Sequence, residues 1–258
     1  SIADTVLSPV FTFRTNEFPD ESYYFVREVN DNNVIYVSDG GELEATLTNT
    51  NLNSFRPRKN NNINRVAFLR TVGSQTHLFT MRPDGSDVNQ VTSSIPVRSI
   101  NDERVGYSWS NFGAYLIYPH LDKLYKVRAS GEGKEVIFDA PEGRFIMNVE
   151  VSYDSSVILV HTTDVNGYEA AIFTIDNSGN RDKTIIDDVD GSLGGLDITV
   201  DNRLVLYTRD VSGYESAGDR DLNMKMFFYD LEDSTIYDVS GNKPNGTNDK
   251  DPRFSPNE

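Results

Sequence analysis

The chain contains no cysteine, one tryptophan and only three histidines in 258 residues. Without cysteine there is no disulfide, no thiol nucleophile and no thiolate-based zinc or iron–sulfur site. That composition suits the cytoplasm or an envelope compartment in which the protein does without disulfides. No apolar run approaches the ~18 residues of a membrane-spanning helix. The opening SIADTVLSPV lacks the charged start and apolar stretch of a signal peptide. Basic residues are also short, at 24 Lys and Arg against 40 Asp and Glu, for a formal charge of −16. Such a surface repels phosphate backbones and anionic membranes, so nucleic acid is not an expected partner. Its simplest consequence is solubility. Helical periodicity is missing throughout.

What is present is a repeat. In HLFTMRPDGSDVNQVT (His77 to Thr92) an apolar-aromatic run enters an Asp-Gly turn and a second short run leaves it. Asp-Gly between two such runs is a hairpin signal, because glycine accepts the positive φ of a tight turn. KLYKVRASGEGKEVIF and AIFTIDNSGNRDKTII align with it without a gap, placing Tyr125 and Phe173 under Phe79 and Gly131 and Gly179 under Gly85. KMFFYDLEDSTIYDVS puts Phe227 at the aromatic position and Asp233 at the turn, and VIYVSDGGELEATLT puts Tyr36 there. The aromatic thus recurs at 36, 79, 125, 173 and 227, with spacings of 43, 46, 48 and 54; the longest contains GYESAGDRD (Gly213 to Asp221), which reads as an inserted loop in a period otherwise in the forties. The rest of each period agrees: YSWSNFGAYLIY, VEVSYDSSVILV and DITVDNRLVLY each give a short strand, a turn and an apolar strand. RPRKNNNINRVAF is a degenerate copy, and RFSPNE at the C-terminus supplies one more first strand.

Short strands at this period predict an all-β fold, a β-propeller of four-stranded antiparallel blades. One blade cannot bury both faces alone, whereas blades packed around an axis cover each other. The expected organisation is an N-terminal extension over residues 1–20 and a single propeller domain over 21–258. If Phe254 pairs with the strand at Tyr23 to Val29, the termini form a clasp and the ring has five blades. If instead a C-terminal blade is truncated after Glu258, the ring has six.

The segments LFTMRPDGSDVNQVT, YSWSNFGAYLIY and DPRFSPNE resemble the TolB-like propeller, or WD40-like Asp-Gly repeat. In that family the third strand runs into an Asp-Gly turn and the first reads roughly Pro-x-Trp-Ser-Pro-Asp-Gly. Here Asn111-Phe112-Gly113 and Pro256-Asn257-Glu258 stand where Pro-Asp-Gly is usual. The resemblance spans about Glu21 to the C-terminus and is weakest at Arg56 to Phe68. It implies a bacterial cell-envelope or periplasmic protein that binds other proteins and performs no chemistry itself. It implies a usual blade number of six. It also implies alternatives, since the repeat occurs as the non-catalytic propeller of some serine peptidases, and related propellers are pectin-fragment lyases.

The residues themselves offer little catalytic machinery. No Gly-x-Ser-x-Gly elbow occurs, and His77, His120 and His161 fall in different blades, so no catalytic residues, cofactor or metal site are assigned. The position preceding the Trp109 equivalent lies on the innermost strand of each blade. Around the ring it reads Arg58, Ser108, Glu150, Asp197 and Arg253, a set expected to line the central channel. Two carboxylates on adjacent inner strands have the arrangement a glycosidase needs; a structural ion-pair ring is the plainer reading. A second candidate is a near-duplicate hairpin, DVNGYEA and DVSGYES, which would present Tyr168, Glu169, Tyr214 and Glu215 on one rim. The expected partner is a protein, with an oligosaccharide as the alternative, and the expected state is a monomer.

Overall fold

The computed structural model describes residues 22–40, 44–102, 104–189, 191–213, 223–241, 243–244 and 246–254. Five antiparallel sheets stand in a ring, forming a five-bladed β-propeller. Blade 1 holds β1 (Tyr23–Val29), β2 (Asn32–Ser38) and β3 (Glu44–Thr46). Blade 2 holds β4 (Ser54–Asn60), β5 (Arg65–Val72), β6 (Gln75–Met81) and β7 (Asn89–Gln90). Blade 3 holds β8 (Ser108–Ser110), β9 (Tyr115–His120), β10 (Lys123–Arg128) and β11 (Glu135–Asp139). Blade 4 holds β12 (Phe145–Val151), β13 (Ile158–Thr163), β14 (Ala170–Ile175) and β15 (Arg181–Val189). Blade 5 holds β16 (Leu193–Ile198), β17 (Leu204–Asp210), β18 (Met224–Asp230) and β19 (Ile236–Asp238). In each full blade the strands run A, B, C, D from the axis outward; blade 1 supplies B, C and D.

The recurring aromatic of strand C has a partner in strand B at the same register. Phe25 faces Tyr36, Phe68 faces Phe79, Tyr118 faces Tyr125 and Tyr207 faces Phe227. All four pairs are stacked with ring centroids 5.6 Å apart. In blade 4, Val160 takes the strand B position against Phe173. Cross-strand aromatic pairs of this kind fix strand register as well as adding stability. Two residues beyond the strand B aromatic, Arg27 and Arg70 lay their guanidinium groups over both rings of their pair.

The core lies between blades. One cluster joins blades 2 and 3 through Leu69, Leu78, Tyr107 and Leu116. Others join blades 3 and 4, blades 4 and 5, and blades 1 and 2. Each fully buried side chain of this size contributes roughly 1.5–3 kcal/mol. The C–D turn explains why glycine recurs. Gly85, Gly131 and Gly179 all have φ between 81° and 92°. Each also sits on the outer strand of the preceding blade: a Cβ at Gly179 would lie 2.1 Å from the Ile137 carbonyl, and one at Gly85 2.8 Å from that of Leu47. The glycine therefore serves both the turn and the seam. Blade 5 differs from the expected turn at Asp233. Its C–D turn is one residue longer, with Ser234 at φ 64°.

The C-terminal stretch lies along blade 5. Asn248 accepts the Met224 N–H at 2.9 Å, Pro252 abuts Gly195, and Phe254 stacks on Phe228 at 5.5 Å. Among the described residues β1 pairs with β2 only, and no strand pairing joins Phe254 to it.

Candidate functional site

Three of the four full blades bulge in strand A, between Phe55 and Arg58, Ile146 and Asn148, and Gly194 and Leu196. A bulge inserts one residue and re-aims the side chains beyond it. Arg58, Glu150 and Asp197, each past a bulge, converge with Ser108 of β8 and with Arg253, which lies in the C-terminal stretch and forms no strand there, contrary to the expected extra first strand. The Glu150 carboxylate accepts from Arg58 at 2.6 Å, Arg253 at 2.5 Å and the Ser108 hydroxyl at 2.7 Å. Arg253 also donates to the Leu196 carbonyl at 2.5 Å and stands 3.9 Å from the Asp197 carboxylate. Asp197 in turn accepts the Phe254 and Ile198 N–H groups at 2.8 and 3.0 Å.

Burial acts to raise the Glu150 carboxyl, but the charges of Arg58 and Arg253 and the Ser108 hydrogen bond outweigh it and hold the group below its ordinary range. Asp197 moves the other way: burial and the nearby Glu150 charge raise it, and Arg253 only partly compensates. Glu150 is 7% exposed, and a sugar could reach it only by displacing an arginine. A glycosidase pair needs both carboxyl groups on the substrate. This cluster instead bonds one of them fully to the protein, as buried structural ion pairs are.

On the side of the axis facing the A–B turns, apolar side chains reach solvent. Ile63, Phe112, Tyr153 and Val200 are 37%, 48%, 58% and 55% exposed, one in the A–B turn of each of blades 2 to 5. Phe112 meets Tyr153 edge to face at 5.5 Å, and Gly113 packs against Ile63. Asn202 donates to Asp154 at 2.9 Å, tying the turns of blades 4 and 5 together. Beside Ile63 opens a groove of about 510 Å³ flanked by Lys59, Arg65, Arg82, Pro83 and Asp84, with Asp87 pairing to Arg65 and Arg82. Phe112 holds a left-handed conformation (φ 54°, ψ 27°), an uncommon one for a bulky residue. Sequence reasoning did not single out this rim. The available signal was the departure from Pro-Asp-Gly at Asn111-Phe112-Gly113.

On the opposite side lie the B–C hairpins. Tyr168 is half-buried rather than exposed as expected, because the Asp164 carboxylate draws the hairpin in by accepting the Tyr168 N–H at 2.6 Å. Glu169 is exposed and pairs with Arg144 at 3.0 Å. Tyr214 and Glu215 lie outside the described residues. The B–C hairpins of blades 2, 4 and 5 expose Val72, Val165 and Val211. His77 and His120 hydrogen-bond the Thr92 and Pro96 carbonyls at 3.1 and 2.8 Å, and His161 is buried in β13. Among the described residues no cluster of metal-ligating side chains occurs, and no helix is long and apolar enough to cross a membrane.

No protein-family model matches the sequence, and no curated protein matches it significantly. Solved structures do match the fold. TolB from Acinetobacter baumannii aligns with 85% of this chain at 12% identity and a TM-score of 0.61. The chain spans about half, 52%, of that protein's length. The structure described as putative TolB from Agrobacterium tumefaciens aligns with 83% of this chain and 76% of its own at 12% identity, with a TM-score of 0.63. An oligogalacturonate lyase from Vibrio parahaemolyticus aligns with 84% of this chain and 58% of its own at 12% identity, with a TM-score of 0.52. The fold is thus the TolB-like propeller, an architecture shared with at least one enzyme, so the chemistry must be argued from the site.

Proposed function

We propose that this chain is a non-enzymatic, protein-binding propeller of a bacterial cell envelope, and that the partner docks on the A–B face. The observation that carries this is the line of exposed apolar side chains Ile63, Phe112, Tyr153 and Val200 on four consecutive blades. Isolated exposed apolar residues are ordinary. An exposed aromatic pair flanked by further exposed apolar side chains in the neighbouring turns is the pattern of interaction sites, where aromatic anchors dominate binding energy. The envelope location rests on the resemblance of the repeat motifs to TolB-like propellers. The lyase or glycosidase reading has less support, because Glu150 is fully engaged by Arg58, Arg253 and Ser108.

A photo-crosslinking amino acid at position 153, compared with one at position 165 on the B–C face, tests the reading in cells. A discrete protein adduct from position 153 that disappears with Phe112→Ser, at unchanged melting temperature, is the expected result. Adducts from position 165 alone would move the site to the opposite face. Equal or absent labelling at both positions would overturn the binding-module reading.

A further inference from the structure

Blade 1 differs from the others at the axis. Blades 2 to 5 each begin with an inner strand, β4, β8, β12 or β16, that flanks strand B. In blade 1, β1 is strand B, and among the described residues no strand pairs with its axial side. Burial follows the difference. β13 buries all six of its residues, β5 and β9 bury four each, and β1 buries none of its seven. Tyr23 is 56% and Val26 37% exposed.

The hydrogen-bond register identifies the backbone groups left open. The Ile35 N–H donates to the Thr48 hydroxyl at 2.9 Å, and its carbonyl accepts the Leu47 N–H at 2.8 Å, both on the β3 side of β2. Ile35 faces Val26. That pair therefore exchanges no hydrogen bonds, and Val26 turns its own N–H and carbonyl toward the axis. Alternation gives Tyr24 and Glu28 the same direction. Such a row is a template for a further strand. Beside it the Tyr24 hydroxyl is buried with no hydrogen-bond partner among the described residues, a costly state that a further backbone alongside can relieve.

The occupant follows from chain length. In blades 2 to 5, strands A and B are joined by four to six residues, 61–64, 111–114, 152–157 and 199–203. The same link before Tyr23 would end an inner strand between positions 16 and 18. FTFRTNE (Phe11 to Glu17) alternates Phe11 and Phe13 with Thr12 and Arg14, the pattern of a half-buried strand. Pro19 and Asp20 then supply turn residues. Asp201, three residues before β17, accepts the Arg203 N–H at 3.1 Å, and Asp20 stands three residues before β1. The other end of the described chain is engaged elsewhere, with Phe254 stacked on Phe228 of blade 5. A tethered strand also has the advantage over one from another molecule, because pairing costs it only loop-closure entropy.

We propose that the axial edge of β1 is a strand-acceptor site, and that residues 11–17 of this chain occupy it as the first strand of blade 1 rather than standing as an extension. The same placement assigns Phe18 to an A–B turn, the place that Ile63, Phe112, Tyr153 and Val200 hold in the other blades. The proposal does not depend on what docks there.

The test is amide hydrogen exchange of the full chain, resolved by NMR. The Tyr24, Val26 and Glu28 amides should exchange at least about 100-fold more slowly than that of Gly143 in its exposed turn. The double variant Thr12→Pro, Phe13→Pro removes a ladder N–H whichever way the strand faces. It should speed exchange at the three positions at least about tenfold and leave the Phe79 amide of β6 unchanged. Should that variant fail to fold, a nitroxide on Thr15→Cys, the single cysteine in the chain, should broaden the amide signals of β1 and spare those of β11 at the outer edge of blade 3. Fast exchange at all three positions in the wild-type chain overturns the acceptor site. Protection that rises with protein concentration or survives the double proline, or broadening that misses β1, overturns the role given to residues 11–17.

Discussion

The two faces of this ring are built from the same strands, yet they differ in what they do with apolar and polar groups. On the A–B side the turns hold Phe112 and Tyr153 out in solvent and tie themselves together through Asn202 and Asp154. On the B–C side the inner strands bulge and fold a histidine inward, leaving Nε2 of His161 unmatched among the described residues. The Glu150 cluster separates the two. The contrast teaches that a repeat fixes the walls of a propeller while its ends are free to diverge. Every full blade must match its neighbours along the seam, its C–D turn included; an A–B turn must only return the chain.

The largest expected effect comes from breaking the divider. Glu150→Gln leaves Arg58 and Arg253 facing each other without their shared carboxylate. Removing one partner of a buried ion pair costs about 3–5 kcal/mol, which at this chain length lowers Tm by roughly 10 °C. Calorimetry checks this. Unchanged stability would mean that the carboxylate is not structural and would return the enzyme reading to the front. The pH dependence has a definite sign. The folded Glu150 carboxyl lies below its unfolded value, so its contribution is present above about pH 4.5 and is lost as pH falls through the folded value.

His161 gives the next effect. Its folded value of about 4 lies below the ordinary 6.5. In that window the unfolded chain binds the additional proton, so stability is full above pH 6.5 and falls as pH drops toward 4. The loss amounts to at most about 3 kcal/mol. His161→Gln should flatten the stability curve between pH 4 and 6.5, read by denaturant unfolding at a series of pH values. A slope that survives the substitution would assign it to other groups. Gly179→Ala should cost about 2 kcal/mol, since the methyl meets the Ile137 carbonyl and the backbone is left-handed. Gly143→Ala is the control. Its φ is also positive, at 78°, but nothing lies within 4 Å, so the difference between the two isolates the seam contact.

Much of this was readable beforehand, for physical reasons. The strand C aromatics and the C–D glycines of blades 2 to 4 repeat because each blade solves the same packing problem. Repetition multiplies a weak signal. What was not readable is what departs from the repeat. Three inner strands bulge, and a bulge slips the alternation of side chains without altering the composition of the strand. The half-burial of Tyr168 depends on Asp164 closing its own hairpin. The Phe112 rim lies at turns, where hydrophobic periodicity carries no information.

The smallest expected effect has the opposite sign and sharpens the comparison most. Phe112 combines a bulky side chain with a left-handed backbone at the tip of an exposed turn, a conformation that asparagine adopts more readily. If the turn exists only to connect strands, Phe112→Asn should stabilise the fold by up to about 1 kcal/mol, because it relieves strain and surrenders little burial. If the rim binds a partner, the same substitution should cost affinity, because the edge-to-face contact with Tyr153 and the exposed ring area go together. A gain in Tm coupled to a loss of the position-153 crosslink would mark the residue as kept for function at the expense of stability. A gain in Tm with the crosslink intact would reduce Phe112 to a strained connector and leave Tyr153 to carry the face.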